Sequence, residues 1–254
     1  MEYDDIGTGI PLLLIHGFPH DRSLWRPQFD GLKDQARMIA PDLSDFGASG
    51  TALETMNMDD YATDLKALLD KLEIKQAVIC GLSMGGYIAL AFLSRYPDAV
   101  KGLILCNTKA GADDEKAREG RLETAAKVHD KGMAALAEGM LPKMLTAATI
   151  ATQPNVSAAV KDMMARQPPD GVVAALQGMA ARPDRTRMLA RITVPTLIIT
   201  GSADTAIPPS ESKVLADAIL GSKLLVIPDV GHLSNVEAPE AFNAAVRDFV
   251  DGLG

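Results

Sequence analysis

The stretch QAVICGLSMGG, residues 76–86, places a serine directly after an apolar run and at the start of a helical pattern that continues to Arg95. The run Gln76–Cys80 has the length of a buried strand. A serine hydroxyl is a weak nucleophile, so it must be exposed, aimed, and within reach of a base. A sharp strand-to-helix turn aims it, and the glycines two residues on either side of Ser83 are expected because neighbouring backbone crowds such a turn. The stretch therefore predicts Ser83 as a catalytic nucleophile.

Strand-length apolar runs alternate with longer helical patterns along most of the chain. Two helices are predicted at Tyr61–Leu72 and from about Pro239 to Val250. The other predicted strands are Leu12–Ile15, Ala36–Ala40, Val100–Cys106, Val194–Thr200 and Leu224–Ile227. This alternation is typical of an α/β fold whose parallel sheet is covered by helices on both faces.

Residues 110–191 interrupt the alternation. They contain no strand pattern, only helix-length segments broken at Pro142, Pro154 and Pro168-Pro169. A structureless loop of this length is implausible, so we expect a helical cap inserted into a core formed by residues 1–109 and 192–254. The insertion lacks aromatic residues but holds seven of the twelve methionines. Methionine adapts to varied ligands, so we expect a substrate to contact Met133, Met140 and Met144, although such residues also commonly pack helices together.

An oxyanion hole is predicted beside Ser83. The Met84 N–H lies at the start of a helix, where it points toward developing negative charge. A second donor is expected from the turn after the strand Leu12–Ile15, where Gly17 permits the turn and Phe18 supplies its N–H. The Phe18 ring would then line the acyl pocket. His16 precedes this turn, so we expect it to hold the loop rather than to catalyse.

The catalytic base and acid are predicted from chain order. Among four histidines, His232 alone lies between the last strand and the last helix, which brings it over the carboxyl edge of the sheet. Asp204 follows the strand Val194–Thr200 at the same edge and completes the order Ser83, Asp204, His232. Asp229 is a rival acid, but it lies three residues before His232 and would need a cramped loop to reach it. We expect Asp204 to orient His232.

The amino-acid composition indicates which binding partners and which cellular compartment to expect. The chain has 254 residues, 25 Lys and Arg, and 33 Asp and Glu, for a formal charge of −8. This balance argues against nucleic acid and anionic membrane as partners, because both require a basic surface. Cys80 and Cys106 are expected to be free, buried thiols in a reducing cytoplasm rather than a disulfide. No metal-ligand spacing, dinucleotide fingerprint or phosphate loop occurs, so no cofactor is expected.

Three motifs carry a resemblance to the α/β-hydrolase superfamily. HGFP at 16–19 and PDLSDFGASG at 41–50 resemble its esterase and perhydrolase branch, and GHLSNVEAPE at 231–240 resembles 3-oxoadipate enol-lactonases. The resemblance implies a mostly parallel eight-stranded sheet with an inserted helical cap. It also implies Ser83, Asp204 and His232 as a triad, with Phe18 and Met84 as backbone donors. Dehalogenases and epoxide hydrolases of the superfamily have aspartate at the Ser83 position, so those activities are disfavoured.

These features together predict a serine carboxylic-ester hydrolase acting on small to medium acyl esters. An enol-lactonase, and a non-catalytic binding protein on the same scaffold, are the alternatives. Residues 110–191 contain no dense cluster of positive charge. Four arginines could supply one if several of them turned inward; these are Arg166, Arg182, Arg185 and Arg187. A carboxylated lactone would need an arginine inside the pocket to bind its carboxylate. Neutral short-chain esters are therefore predicted to react faster than carboxylated enol-lactones.

Overall fold

A computed structural model of the chain describes residues 1–50 and 56–254. Seven strands form one sheet in the order β1-β3-β2-β4-β5-β6-β7, and every neighbouring pair is parallel except β1 with β3. The strands are β1 Tyr3–Ile6, β2 Ile10–Ile15, β3 Ala36–Pro41, β4 Ala77–Leu82, β5 Val100–Cys106, β6 Thr196–Gly201 and β7 Lys223–Ile227. The predicted α/β-hydrolase fold with a mostly parallel sheet is confirmed.

The sheet has seven strands in the described residues, one fewer than the eight expected from the resemblance. The strand that the apolar pattern did not reveal is β1, whose sequence is Tyr-Asp-Asp-Ile. It lies at the antiparallel edge of the sheet and is largely half-buried, so it needs no continuous apolar run.

Ten helices surround or extend from the sheet in the described part of the chain. Those that pack on the sheet are α1 Arg26–Leu32, α2 Met58–Lys71, α3 Met84–Arg95, α8 Pro209–Ala218 and α10 Pro239–Asp251. The remaining helices are α4 Glu115–Met144, α5 Ala147–Thr152, α6 Pro154–Ala165, α7 Pro169–Ala181 and the four-residue α9 Ser234–Glu237. Short 3-10 helices occur at Arg22–Trp25, Pro97–Ala99 and Thr186–Arg191.

Alternate side chains of the central strands enter two hydrophobic cores. In β2, Leu13 and Ile15 pack with α2 and α3, whereas Leu12 and Leu14 pack with α1 and α10 on the opposite face. This separation follows from the two-residue period of a strand. Because both faces are covered, the apolar runs recognised in the sequence are continuous rather than alternating.

The connection between β5 and β6 consists of α4 to α7 and one 3-10 helix, with no strand in it. The helix α4 is bent at Gly132, which has φ 75° and ψ 175°, outside the helical region. The predicted break at Pro142 is wrong, because Pro142 lies inside the second half of α4. Pro154 and Pro169 occupy the first positions of α6 and α7, where the missing N–H costs nothing.

No helix in residues 1–50 and 56–254 is long and apolar enough to cross a membrane. Cys80 and Cys106 are buried and unbonded, with their sulfur atoms 3.9 Å apart. The expectation of two free buried thiols is confirmed.

A buried ion cluster at Asp113 joins the start of the inserted helices to their end. The Asp113 carboxylate accepts hydrogen bonds from Arg121 and, at 2.8 Å, from Arg182, and Lys109 lies 3.4 Å away. Both Asp113 and Arg182 are almost completely buried. Burial raises the pKa of Asp113, but the hydrogen bonds from Arg182 and Arg121 lower it by more, so its pKa lies well below the ordinary value.

We expect Asp113→Ala to lower the free energy of unfolding by about 3–5 kcal/mol, because it leaves the Arg182 guanidinium buried without its counter-charge. Since the folded pKa is depressed, this contribution is complete above the unfolded pKa of Asp113 and disappears as pH falls through the folded value. Urea unfolding at neutral pH measures the loss. Asp217→Ala removes an exposed partner of Lys213 and should cost no more than about 1 kcal/mol. Equal losses in the two variants would contradict the argument.

Candidate active site

Ser83 occupies the turn between β4 and α3 with φ 56° and ψ −115°, a strained conformation for a residue other than glycine. A Cβ atom at Gly81 would lie 2.2 Å from the Gly85 carbonyl oxygen, and one at Gly85 would lie 2.2 Å from the Ile15 carbonyl oxygen. The two glycines are therefore required by the crowding that the sequence predicted. Between residues 77 and 93, Ser83 is the only residue that is not buried.

Neighbouring loops hold this turn in place. The Ser83 N–H donates to the Cys106 carbonyl at 2.9 Å, and the Thr108 hydroxyl donates to the Ser83 carbonyl at 2.8 Å. Cys106 is the last residue of β5, and Thr108 lies two residues after it. A Cβ atom at Gly17 would lie 3.1 Å from the Leu82 carbonyl oxygen and 3.2 Å from the Ser83 Cβ. The turn after β2 is thus packed directly against the predicted nucleophile.

His232 and Asp204 lie together at the same edge of the sheet. The His232 Nδ1 and Asp204 Oδ2 atoms are 2.8 Å apart, and both side chains are buried. A carboxylate can only accept a hydrogen bond, so the His232 Nδ1 is the donor in this contact. The rival acid Asp229 is exposed, and its backbone N–H donates a hydrogen bond to the Ser202 hydroxyl oxygen at 2.8 Å. The geometry pairs His232 with Asp204.

The Asp204 carboxylate is surrounded by donors. The N–H groups of Ala206 and Ile207 each donate to Oδ1 at 2.9 Å, and the Asn107 side chain donates to Oδ2 at 2.9 Å. Burial raises the pKa of Asp204, but hydrogen bonds from His232, Ile207 and Asn107 lower it by more, so the net shift is downward. Asp204 is therefore ionised at neutral pH and fixed in one orientation.

Asn107 is a site residue that the sequence reasoning missed. It follows β5 directly, has φ 46°, and donates to the Gly231 carbonyl at 3.2 Å as well as to Asp204. Its side-chain oxygen accepts a hydrogen bond from the Ser234 hydroxyl at 2.6 Å. The sequence offered one signal for this role. Asn107 is a polar residue immediately after a buried strand, at the sheet edge where Ser83 and Asp204 also lie.

His16 and Phe18 occupy the turn after β2. The His16 Nδ1 lies 2.9 Å from the Gly17 carbonyl oxygen, and its Nε2 accepts from the Leu43 N–H at 3.1 Å. Burial lowers the pKa of His16, which agrees with a neutral ring bonded on both sides. The Phe18 ring packs edge-on against Phe46, with the ring centroids 6.4 Å apart. His16 therefore links two loops, as expected of a structural residue.

His20 is also completely buried behind this turn. Burial, followed by the nearby imidazoles of His16 and His232, lowers its pKa to about 3, so it is uncharged at neutral pH. His129 is exposed on α4. No group of three or more His, Cys, Asp or Glu side chains among the described residues is arranged to hold a metal ion.

A cavity of about 540 Å³ lies between the two halves of α4, and Phe18 and Leu176 also line it. Met140 contributes to its wall, whereas Met133 and Met144 are buried in the hydrophobic cores and are not among its lining residues. A larger hollow of about 630 Å³ lies near Arg22 and contains none of the predicted site residues. Of the predicted site residues, only Phe18 and Met140 line the smaller cavity, and none lines the larger hollow, so the smaller cavity is the candidate substrate pocket.

The four arginines considered as inward-facing do not line this cavity. Three are paired with carboxylates: Arg166 with Asp21, Arg182 with Asp113, and Arg185 with Asp59. Arg187 is exposed. The cavity instead has a different set of cations in its wall, namely Arg121, Lys127, Lys131 and Lys143. The sequence reasoning overlooked the lysines because nothing in their spacing showed that they share a cavity.

Comparisons with known proteins agree with this architecture. A family model described as the alpha/beta hydrolase fold matches residues 10–239. The chain is 31% identical over 236 residues to 3-oxoadipate enol-lactonase 2 of Acinetobacter baylyi, covering 93% of this chain and 86% of that protein. A solved thermophilic esterase from Thermogutta terrifontis, with malate bound, is 41% identical with a TM-score of 0.97, covering 99% and 93% of the two chains. The enol-lactonase from Burkholderia xenovorans LB400 is 30% identical with a TM-score of 0.92, covering 98% and 96%.

Proposed function

Because the chain belongs to the α/β-hydrolase fold family and is a hydrolase, we propose that it is a serine carboxylic-ester hydrolase acting through Ser83, Asp204 and His232. The observation that carries the proposal is the strained, partly exposed Ser83 at the same sheet edge as a histidine whose Nδ1 lies 2.8 Å from a buried carboxylate. Strain at a single serine is typical of a nucleophile.

The chemistry is acyl transfer to water. The His232 Nε2 removes the proton from Ser83 as the Ser83 oxygen attacks the ester carbonyl, and Asp204 stabilises the imidazolium that forms. The N–H groups of Phe18 and Met84 stabilise the oxyanion. The alcohol leaves with a proton from His232, and an acyl-enzyme remains. His232 then activates a water molecule that releases the acid and regenerates Ser83.

Residues 110–191 act in this proposal as a cap over the site. The two halves of α4 enclose the cavity that also touches Phe18, the proposed oxyanion donor. Ser83 does not line this cavity, but the Gly17 backbone next to Phe18 packs against the Ser83 side chain, so an acyl chain bound in the cavity would have its carbonyl end directed toward Ser83 and its tail between the cap helices. The cavity volume of about 540 Å³ suits a small or medium acyl group. The cytoplasmic location stays a prediction.

Opening of an enol-lactone is the second candidate, favoured by the similarity to 3-oxoadipate enol-lactonase 2. A lactone is an ester within a ring, so Ser83 would attack it in the same first step. The two candidates differ in the leaving group, which stays attached to the acyl part when the ring opens. Initial rates with open-chain esters and with lactones separate them.

A fluorophosphonate probe tests whether the scaffold is catalytic. We expect stoichiometric labelling of the native protein at Ser83, located by peptide mass spectrometry, because the probe reacts with a serine activated by a neighbouring base. Ser83→Ala should not be labelled. A folded native protein that does not react, or that reacts at another serine, would favour the alternative of a binding protein.

A further inference from the structure

The candidate pocket is built from one face of each half of α4. In the first half, the lining residues follow helical spacing and end at Lys131, directly before the bend at Gly132; they are Ala117, Gly120, Arg121, Thr124, Lys127, Val128 and Lys131. In the second half, Leu136, Met140 and Lys143 lie on the facing side. The bend therefore brings two helix faces that are distant in sequence onto one cavity.

The wall of this cavity is positive, although the protein is negative. The chain has 33 acidic and 25 basic residues, so an average stretch of surface holds more carboxylates than cations. The lining nevertheless includes four cations and no Asp or Glu. The other residues that line the cavity are mainly apolar or small, and they include Phe18 and Leu176. An apolar cavity with cations in its wall fits a ligand that has an apolar body and an anionic end.

Two of the four cations already have a carboxylate partner. Arg121 is paired with the buried Asp113, and Lys127 lies 3.5 Å from Glu123. Lys131 and Lys143 are different, because no carboxylate in residues 1–50 and 56–254 lies within ion-pair distance of either ammonium group. Each has a flexible stem and three donors, so it can reach an anion at the edge of the cavity.

We propose that Lys131 and Lys143 form an anion subsite of the cavity. The preferred substrates are then esters of linear acyl groups that end in a carboxylate. This inference rests on the proposed ester hydrolysis. The ester carbonyl lies near Phe18 and Ser83, the methylenes cross the apolar part of the cavity, and the terminal carboxylate meets the two ammonium groups. This reverses the preference for neutral esters that the sequence predicted, because that prediction considered the arginines and not these lysines.

The test compares two 4-nitrophenyl esters of equal acyl length, 4-nitrophenyl hexanoate and the monoester of the linear six-carbon dicarboxylic acid. The measured quantity is kcat/KM for the anionic ester divided by kcat/KM for the neutral ester. We expect the double variant Lys131→Gln and Lys143→Gln to lower this ratio about tenfold, since one exposed ion pair is worth up to about fivefold. The ratio cancels any general effect of the substitutions on the site.

A matched control removes two exposed lysines that do not line the cavity. Lys33→Gln together with Lys75→Gln changes the net charge equally and should leave the ratio unchanged. Raising the salt concentration from about 10 mM to about 300 mM should lower the ratio severalfold in the native protein and little in the Lys131 and Lys143 variant, because salt screens exposed charges. If the ratio of the two kcat/KM values fell equally in both double variants, the cause would be a long-range effect of net charge, and the proposed subsite would be overturned.

A binding measurement keeps this inference separate from the proposed function. Ser83→Ala should bind the linear six-carbon dicarboxylate more tightly than hexanoate by calorimetry, and removal of both lysines should abolish the difference. Equal binding of the two acids would overturn the anion subsite while leaving ester hydrolysis untouched. If the native protein hydrolysed neither ester but bound the dicarboxylate preferentially, the subsite would stand and the proposed activity would fail.

Discussion

Hydrolysis of 4-nitrophenyl hexanoate is expected to fall by a factor of about a million when Ser83 is replaced by alanine. The substitution removes the only atom that forms the acyl-enzyme, while the Asp204 and His232 pair remains. The fold should persist, because alanine is smaller than serine and the backbone contacts of residue 83 with Cys106 and Thr108 are retained. Steady-state rates and the melting temperature, measured on the same preparation, check both statements.

Ser94→Ala is a suitable control for that variant. Ser94 is an exposed serine on the same helix, α3, and lies outside the site. We expect it to retain native activity, which would show that a serine-to-alanine change on this helix is harmless in itself. Substantial ester hydrolysis by folded Ser83→Ala would reject Ser83 as the nucleophile.

The second large effect is expected from Asp204→Asn, about ten-thousandfold in kcat. The fixed N–H groups of Ala206 and Ile207 require an oxygen at the Oδ1 position, so the new amide group must face His232. A donor at that position selects the histidine tautomer with its proton on Nε2. That nitrogen then cannot remove the proton from Ser83.

Asp229→Asn provides the matched comparison for this prediction. Asp229 is the other acid near His232 in sequence, but it is exposed and its backbone contacts Ser202. The same chemical change there should alter kcat by less than about twofold. If Asp229→Asn were the damaging substitution and Asp204→Asn the mild one, the assignment of the acid would be wrong.

Local sequence was sufficient for the turn that contains Ser83. The strand before it, the helix after it, and the two glycines that the crowded turn requires are all within 20 residues of one another. Backbone strain and close approach act over short distances, so they leave a pattern in consecutive residues. The position of His232 followed in a similar way, because a loop after the last strand of a parallel sheet returns to the edge where the nucleophile lies.

Interactions between segments that are far apart in the chain were harder to predict from the sequence. The edge strand β1 was missed because it is half-buried and carries two aspartates. Asn107 was missed because its role depends on Asp204, 97 positions away, and on Gly231, 124 positions away. A single asparagine after a strand has many possible roles until the partners are known.

What the sequence by itself determined is the α/β-hydrolase fold and a candidate nucleophile, base and acid, because strand and helix periods, turn crowding and chain order are local or sequential properties. What only the tertiary structure decided is the surroundings of those residues. The bend of α4 at Gly132 sets Lys131 and Lys143 on one cavity, while Arg166, Arg182 and Arg185 are paired elsewhere. The charge that a substrate meets depends on which side chains share a space, and helix packing rather than spacing along the chain determines that.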